Sequence, residues 1–193
     1  MTEAEIIEKL QAGNEQAFKT LVEQYQKPVV NTCFGILHDK DDAEDVAQEV
    51  FIEVFRSVKN FRADSKISTW LYRIAVNRSL NFLRDNKKRK WFQSFEDAVK
   101  SQNTRLEKLT AENHEDAGFN LENNQRANML HEAMNALPKN QKIAFTLNKY
   151  EDLSYKEISQ VMDLSVSSVE SLIHRAKKSL QKKLYVCYKK RCI

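Results

Sequence analysis

Near the end of the chain, Ser167, Ser168, Glu170, Ser171, His174, Arg175 and Lys178 recur at three- and four-residue spacing on a segment whose other positions are, Lys177 apart, apolar. On a helix they share an exposed side. Short polar residues near a helix N-terminus can reach base edges in the major groove of DNA, and basic residues further along can hold phosphates. A helix about 10 to 12 Å across fits that groove. The rest of Leu153 to Leu180 supplies the support such a reader needs: Ile158, Val161 and Met162 on a first helix, Leu164 in the turn, and Val169, Leu172 and Ile173 on the second. Ser154 with Glu157 three residues on makes a capping box for the first helix. Asp163, Leu164 and Ser165 form the turn, and the second helix is expected from Val166 to about Leu184. The plainer alternative is a helical hairpin with a solvated basic face.

The elements that must position these residues are helical. The 193 residues contain only three glycines and two prolines, Pro28 and Pro138, and 41% are hydrophobic, so one or two all-α domains with modest cores are expected. The net charge of +4 is mild, but its distribution is not. Residues 39–57 carry seven acids against two bases, residues 61–92 nine bases against two acids, residues 96–122 seven acids against three bases, and residues 171–193 eight bases with no acid. Two basic surfaces separated by acidic ones suggest two contacts with a polyanion and one with something else. Cys33, Cys187 and Cys192 lack zinc-ligand spacing, so no metal or other cofactor is expected. With no long apolar run and an acidic start, no membrane insertion is expected and the location reads as cytoplasmic.

Along the chain, an apolar stripe from Ile6 to Leu37 predicts two helices broken near Gly13 and Asn14. After the turn at His38 to Lys40, a stripe through Ala43, Val46, Ala47, Val50, Phe51, Val54, Phe55 and Val58 predicts an amphipathic helix ending near Lys59, with Asp41 and Asp42 suited to its N-terminus. A loop from Phe61 to Ser68 leads to another helix. On it Leu71, Ile74, Ala75 and Phe82 mark the buried side, and Trp70, Arg73, Asn77, Asn81 and Arg84 fall on a different one. From Arg89 to Gln125 the pattern fades into a polar, acidic stretch that reads as a linker, and periodicity returns with Met129, Leu130, Ala133, Met134 and Leu137.

Four ordered stretches now carry a resemblance: GNEQAFKTLVEQYQKPV from Gly13, DDAEDVAQEVFIEVF from Asp41, FRADSKISTWLYRIAVNRSLNFLR from Phe61, and the Leu137–Pro138 step ahead of the helix-turn-helix. Together they resemble the extracytoplasmic-function sigma factors of the sigma-70 family over about residues 10 to 185. The resemblance implies a sigma-2 domain at 1–88, an acidic linker at 89–125 and a sigma-4 domain with a basic tail at 126–193. It implies a protein that carries core RNA polymerase to a promoter, with promoter DNA and the polymerase beta-prime clamp helices and beta subunit as partners, and an anti-sigma factor or other recruiting protein as regulator.

Residue by residue, the resemblance places core-polymerase docking on Asp45, Gln48 and Glu49. It places minus 10 recognition and melting on Phe61, Trp70, Arg73, Asn77, Asn81, Arg84 and Lys88, where an indole, amides and cations can stack on bases, bond to their edges and neutralise phosphates. Minus 35 recognition falls on Ser167, Ser168, Glu170, Ser171, His174, Arg175 and Lys178. Glu170 departs from a position where the family commonly has a basic residue; a carboxylate repels phosphate but can accept from cytosine N4. A helix-turn-helix repressor or activator would explain residues 126 to 184 but not the two N-terminal helices, and a helical adaptor would not need two basic surfaces. An enzyme is not expected, because no nucleophile and base pair, phosphate loop or metal cluster is visible.

Overall fold

The computed structural model describes residues 3–100 and 120–191, with side-chain surroundings for residues 5–89 and 128–185. Among the described residues the elements are α1 (Glu3–Gln11), α2 (Glu15–Leu37), α3 (Lys40–Ser57), a 3-10 turn (Val58–Asn60), α4 (Ile67–Lys100), α5 (Asn120–Asn135), α6 (Lys139–Lys149), α7 (Tyr155–Met162) and α8 (Val166–Arg191), with no strand. This agrees with the all-α expectation.

The break between α1 and α2 falls where the sequence places it, and its chemistry is local. Gly13 takes a φ of 78°, which a residue without Cβ adopts cheaply, and Asn14 then caps α2 by accepting from the Ala17 N–H at 2.9 Å. The next helix is capped by Asp39, which accepts from the Asp42 N–H at 2.9 Å, so Asp41 and Asp42 sit inside its first turn. Helices α1 to α4 form an N-terminal lobe around Leu21, Val29, Val46, Val50, Val54, Ile67 and Leu71, all of them sealed from solvent. One expectation fails here. Phe55 is 56% exposed, meeting Phe18 edge-on at 5.1 Å, because a helix turning 100° per residue carries position 55 past the edge of the stripe. Helix α4 also continues to Lys100, past the point near Lys90 where the pattern fades, and residues 101–119 of the expected linker lie outside the described residues.

The C-terminal lobe is α5 to α8. The Ser154 capping box forms as predicted: Ser154 Oγ accepts from the Glu157 N–H at 3.3 Å while Glu157 Oε2 accepts from the Ser154 N–H at 3.0 Å. Asp163 ends α7 in the left-handed region, at φ 54°, and turns the chain into α8. Ser165 then caps α8, accepting from the Ser168 N–H at 3.2 Å.

The lobes meet along a seam. Ile36 from α2 and Tyr72 and Val76 from α4 belong to the same buried cluster as Ile143, Ala144, Leu147, Ile158, Val161, Val169 and Ile173 of the C-terminal lobe. Helix α4 is therefore buried on two sides: Leu71 and Ala75 face the N-terminal core, Tyr72 and Val76 the other lobe.

Candidate nucleic-acid interface

Helix α4 begins at a cavity of about 300 Å³ lined by Ser57, Asn60, Phe61, Arg62, Asp64, Ser65, Trp70 and Arg73. Phe61 and Trp70 form one wall, their rings 4.7 Å apart and tilted by 31°. Trp70 is half-buried against the N-terminal core, so packing fixes the indole while one edge remains at the cavity. The Gln11 amide donates to the Phe61 carbonyl at 2.8 Å and anchors the loop. From this cavity a stripe runs along α4 through Arg73, Asn77, Asn81, Arg84 and Lys88, each exposed and four or three residues beyond the last. The structure thus brings the seven predicted minus 10 residues together, on one cavity and one helix face. Arg73 carries one contact the sequence did not suggest: its guanidinium donates to the Gln160 carbonyl of α7 in the other lobe.

Asp45, Gln48 and Glu49 are exposed on α3. Gln48 borders a groove of about 680 Å³ between α2 and α3, whose walls include Val22, Val30, Ala47, Phe51 and Ile52. Glu49 faces Arg78 of α4 at 3.6 Å, and Arg78 also binds Glu53. Sequence reasoning chose the acids and missed Ile52, which is 50% exposed beside the exposed Phe55. The available signal was phase: Ile52 sits out of step with Ala47, Val50, Val54 and Val58.

On α8, Ser167, Ser168, Glu170, Ser171, His174, Arg175 and Lys178 are all exposed, while Val169, Ile173, Ala176 and Leu180 are buried. The hydroxyls of Ser167 and Ser168 lie 3.1 and 2.7 Å from that of Ser165, so the helix N-terminus is a small hydroxyl network rather than three separate groups. Buried Val169 locks the rotation of α8, which keeps Ser171, Arg175 and Lys178 outward. Among the described residues no group of three metal-ligating side chains occurs, and no helix is long and apolar enough to cross a membrane. Cys33 is buried, and desolvation lifts its thiol to about 11, which disfavours the thiolate needed for metal or redox chemistry.

Comparison with known proteins gives the arrangement a family. Sigma-70 region 2 matches residues 21–89 and Sigma-70, region 4 matches residues 127–180. The RNA polymerase sigma-H factor of Pseudomonas aeruginosa is 33% identical over 93% of this chain and 92% of its own length. The ECF RNA polymerase sigma-E factors of Haemophilus influenzae and Escherichia coli are 34% and 33% identical, over 95% of this chain and 96% and 95% of theirs. The fold is shared with CnrH, solved with the cytosolic domain of CnrY, at a TM-score of 0.70 and 19% identity over 95% of this chain and 97% of that one. It is shared also with the sigma factor RpoE of Bartonella quintana, solved with the anti-sigma factor NepR, at 0.60 and 20% over 88% and 97%. Two region matches in chain order, and relatives alike along nearly their whole length, make this chain a member of the extracytoplasmic-function sigma factors of the sigma-70 family, a factor that directs RNA polymerase to promoters.

Proposed function

We propose that the two lobes divide the work of promoter recognition, with residues 1–88 docking on core polymerase and opening the minus 10 element, and residues 126–193 reading the minus 35 duplex. The observation that carries this reading is the stripe of exposed amides and cations on α4 leading away from an aromatic cavity. Amides and an indole suit bases whose edges and faces are bare, which is the state of a strand being melted. Phe61 and Trp70 take an extruded base, Asn77 and Asn81 bond to edges, and Arg73, Arg84 and Lys88 follow the backbone. On α8, Arg175 and Lys178 hold phosphates while Ser171 and Glu170 bias base choice.

Core binding falls to the α2–α3 groove, which Gln48 lines and whose apolar walls offer buried area, and to Asp45 and Glu49 elsewhere on the exposed side of α3, acids that complement the basic surface expected of the polymerase clamp. The protein acts in the cytoplasm as an initiation factor without catalysis of its own. An anti-sigma factor, of the kind solved with the Bartonella quintana relative, is its expected regulator. The decisive experiment is permanganate footprinting of promoter complexes formed with Asn77→Ala and Asn81→Ala. Each variant should lose about 1 to 3 kcal/mol of open-complex stability while core affinity stays unchanged. Melting as strong as that of the parent protein in the double variant would remove these residues from the minus 10 assignment.

A further inference from the structure

A cleft of about 410 Å³ runs between α4 and α6, floored by Ile36, Leu80, Leu83, Leu137 and Ile143 and lined as well by Arg84, Lys87, Lys139 and Lys142. Two helix faces supply most of it. Leu80, Leu83, Arg84 and Lys87 share one side of α4, and Lys139, Lys142 and Ile143 one side of α6, at the three- and four-residue spacing that stacks side chains along a helix. Helix α2 adds Ile36. Its neighbour Gly35 lets α6 come close: Thr146 Oγ1 donates to the Gly35 carbonyl at 3.3 Å, and a Cβ at 35 would lie 3.0 Å from that oxygen and collide with Thr146 Cγ2. That contact holds α2 and α6 at a fixed spacing beside the cleft.

The lining is aliphatic with charges of one sign. Among the described residues that line the cleft four are cationic and none is acidic. The α2–α3 groove has similar apolar walls but mixes Glu23 and Glu44 with Lys27, as a solvated surface ordinarily does. Arg84 is answered by Asp85, at 3.3 Å. Lys142 is not answered by an acid in this way: its Nζ donates to the neutral Asn135 Oδ1 at 3.0 Å, and burial pushes its ammonium below the ordinary lysine range. Burial also lowers His38 to about 4, with the charges of Lys142 and His131 adding to the fall, and His38 Nε2 is buried without a hydrogen-bond partner among the described residues. The positive field is uncompensated, and an anion in the cleft would relieve both groups.

We propose that this cleft binds a single-chain anionic amphiphile, with its aliphatic tail against Ile36, Leu80, Leu83 and Ile143 and its phosphate or carboxylate head between Lys87, Lys139 and Lys142. The chemistry of the lining selects this class. Aliphatic side chains give an alkyl chain apolar cover but offer a base or a sugar nothing to stack on or bond to, and lysine ammoniums hold an oxyanion as point charges. The volume falls in the range of about 300 to 1,000 Å³ usual for small-molecule sites. A bilayer is a poorer fit, because a recess between two helices does not present its floor to a plane. Apart from Arg84, no residue of the promoter-reading surfaces lines the cleft.

Calorimetric titration of the full chain with decyl phosphate, kept below its micelle-forming concentration, should give saturable one-to-one binding. Decanol, which has the tail alone, and inorganic phosphate, which has the head alone, should each bind at least tenfold more weakly. Equal binding of decanol, or uptake that never saturates, would overturn the proposal. Lys139→Glu with Lys142→Glu should weaken decyl phosphate binding at least tenfold while circular dichroism stays helical, and undiminished affinity would refute the assigned head site. A second readout needs no substitution. In the parent chain the methyl resonances of Ile36 and Ile143 should shift on addition of decyl phosphate while those of Val50, in the N-terminal core, stay in place, and the His38 imidazole should titrate above its value of about 4. Unmoved resonances at Ile36 and Ile143 would place any binding elsewhere and sink the proposal. Sedimentation with anionic phospholipid vesicles in the absence of decyl phosphate binding would assign the cations to a membrane surface, and capture of an acidic amphipathic peptide alone would assign the cleft to a protein segment; either result overturns the free amphiphile. Every readout is of binding, so failure leaves the promoter-directing reading as it stands.

Discussion

The two lobes are built from the same kind of helix but stabilised differently. The N-terminal lobe closes its core from residues of α1 to α4, with Leu21, Val50 and Leu71 among them. The helix-turn-helix packs Ile158, Val161, Val169 and Ile173 with Ile143, Ala144 and Leu147 of α6, and shares that core with Ile36, Tyr72 and Val76 across the seam. A small unit that borrows apolar cover is stable while it is docked and loses part of its core when it leaves. Opening therefore costs the C-terminal lobe more than the N-terminal one.

The sharpest way to break this comparison is to remove an apolar residue on the N-terminal side of the seam and watch the other lobe. Ile36→Ala should cost about 2 to 5 kcal/mol and lower hydrogen-exchange protection in α7 and α8. Val50→Ala, equally buried but confined to the N-terminal core, should leave that protection unchanged. Equal effects of the two on α7 would mean that the lobes form one cooperative unit.

A smaller effect is expected from the docking groove, which lies away from the seam. Asp45→Lys with Glu49→Lys should weaken core-polymerase affinity by about tenfold, roughly 1.4 kcal/mol, without altering protection of α7. Unchanged retention on immobilised core enzyme would remove these acids from the docking surface. Smaller again is the helix cap. Ser154→Ala should destabilise the C-terminal lobe by about 1 kcal/mol in urea titration and leave the N-terminal lobe untouched.

The smallest predicted effect is on pH. Burial raises Glu151 from 4.5 to about 7, against the Tyr72 hydrogen bond that lowers it and the neighbouring Asp152 that adds to the rise. Burial lowers His38 from 6.5 to about 4, helped by Lys142 and His131. A raised carboxyl favours closure at low pH and loses that contribution as pH rises through 7. A depressed imidazole favours closure above 6.5 and loses it as pH falls toward 4. Between about 4.5 and 6.5 the two nearly cancel, so the radius of gyration should be smallest there and grow modestly on either side. Glu151→Gln should abolish the alkaline growth alone.

What was legible in the sequence divides along the same line. Caps and periodicity are local, so the Ser154 box, the break at Gly13 and Asn14, and the outward row on α8 could all be read from neighbouring residues. The stripe on α4 was legible for the same reason. The seam was not, because its hydrogen bonds join residues 79 to 111 positions apart, and an apolar Val76 or a Tyr72 gives no sign of which element will cover it. Periodicity reports that a face is apolar without naming its partner. The same limit explains Phe55 and Ile52: their hydrophobicity was plain, but only packing reveals that α3 keeps them uncovered.

Gly35 also has an energetic side that steric reach does not describe. Glycine in the middle of a helix is about 1 kcal/mol less favourable than alanine, because it gives up more backbone freedom on folding. That loss is carried by α2 whether the seam is closed or open, whereas the close approach of Thr146 benefits only the closed form. An alanine at 35 would therefore ease the helix equally in both forms and act on their balance only through the closed form's contact with Thr146. Each kcal/mol changes a two-state ratio about fivefold, so even a single methyl group at this position weighs on how tightly the two lobes stay together.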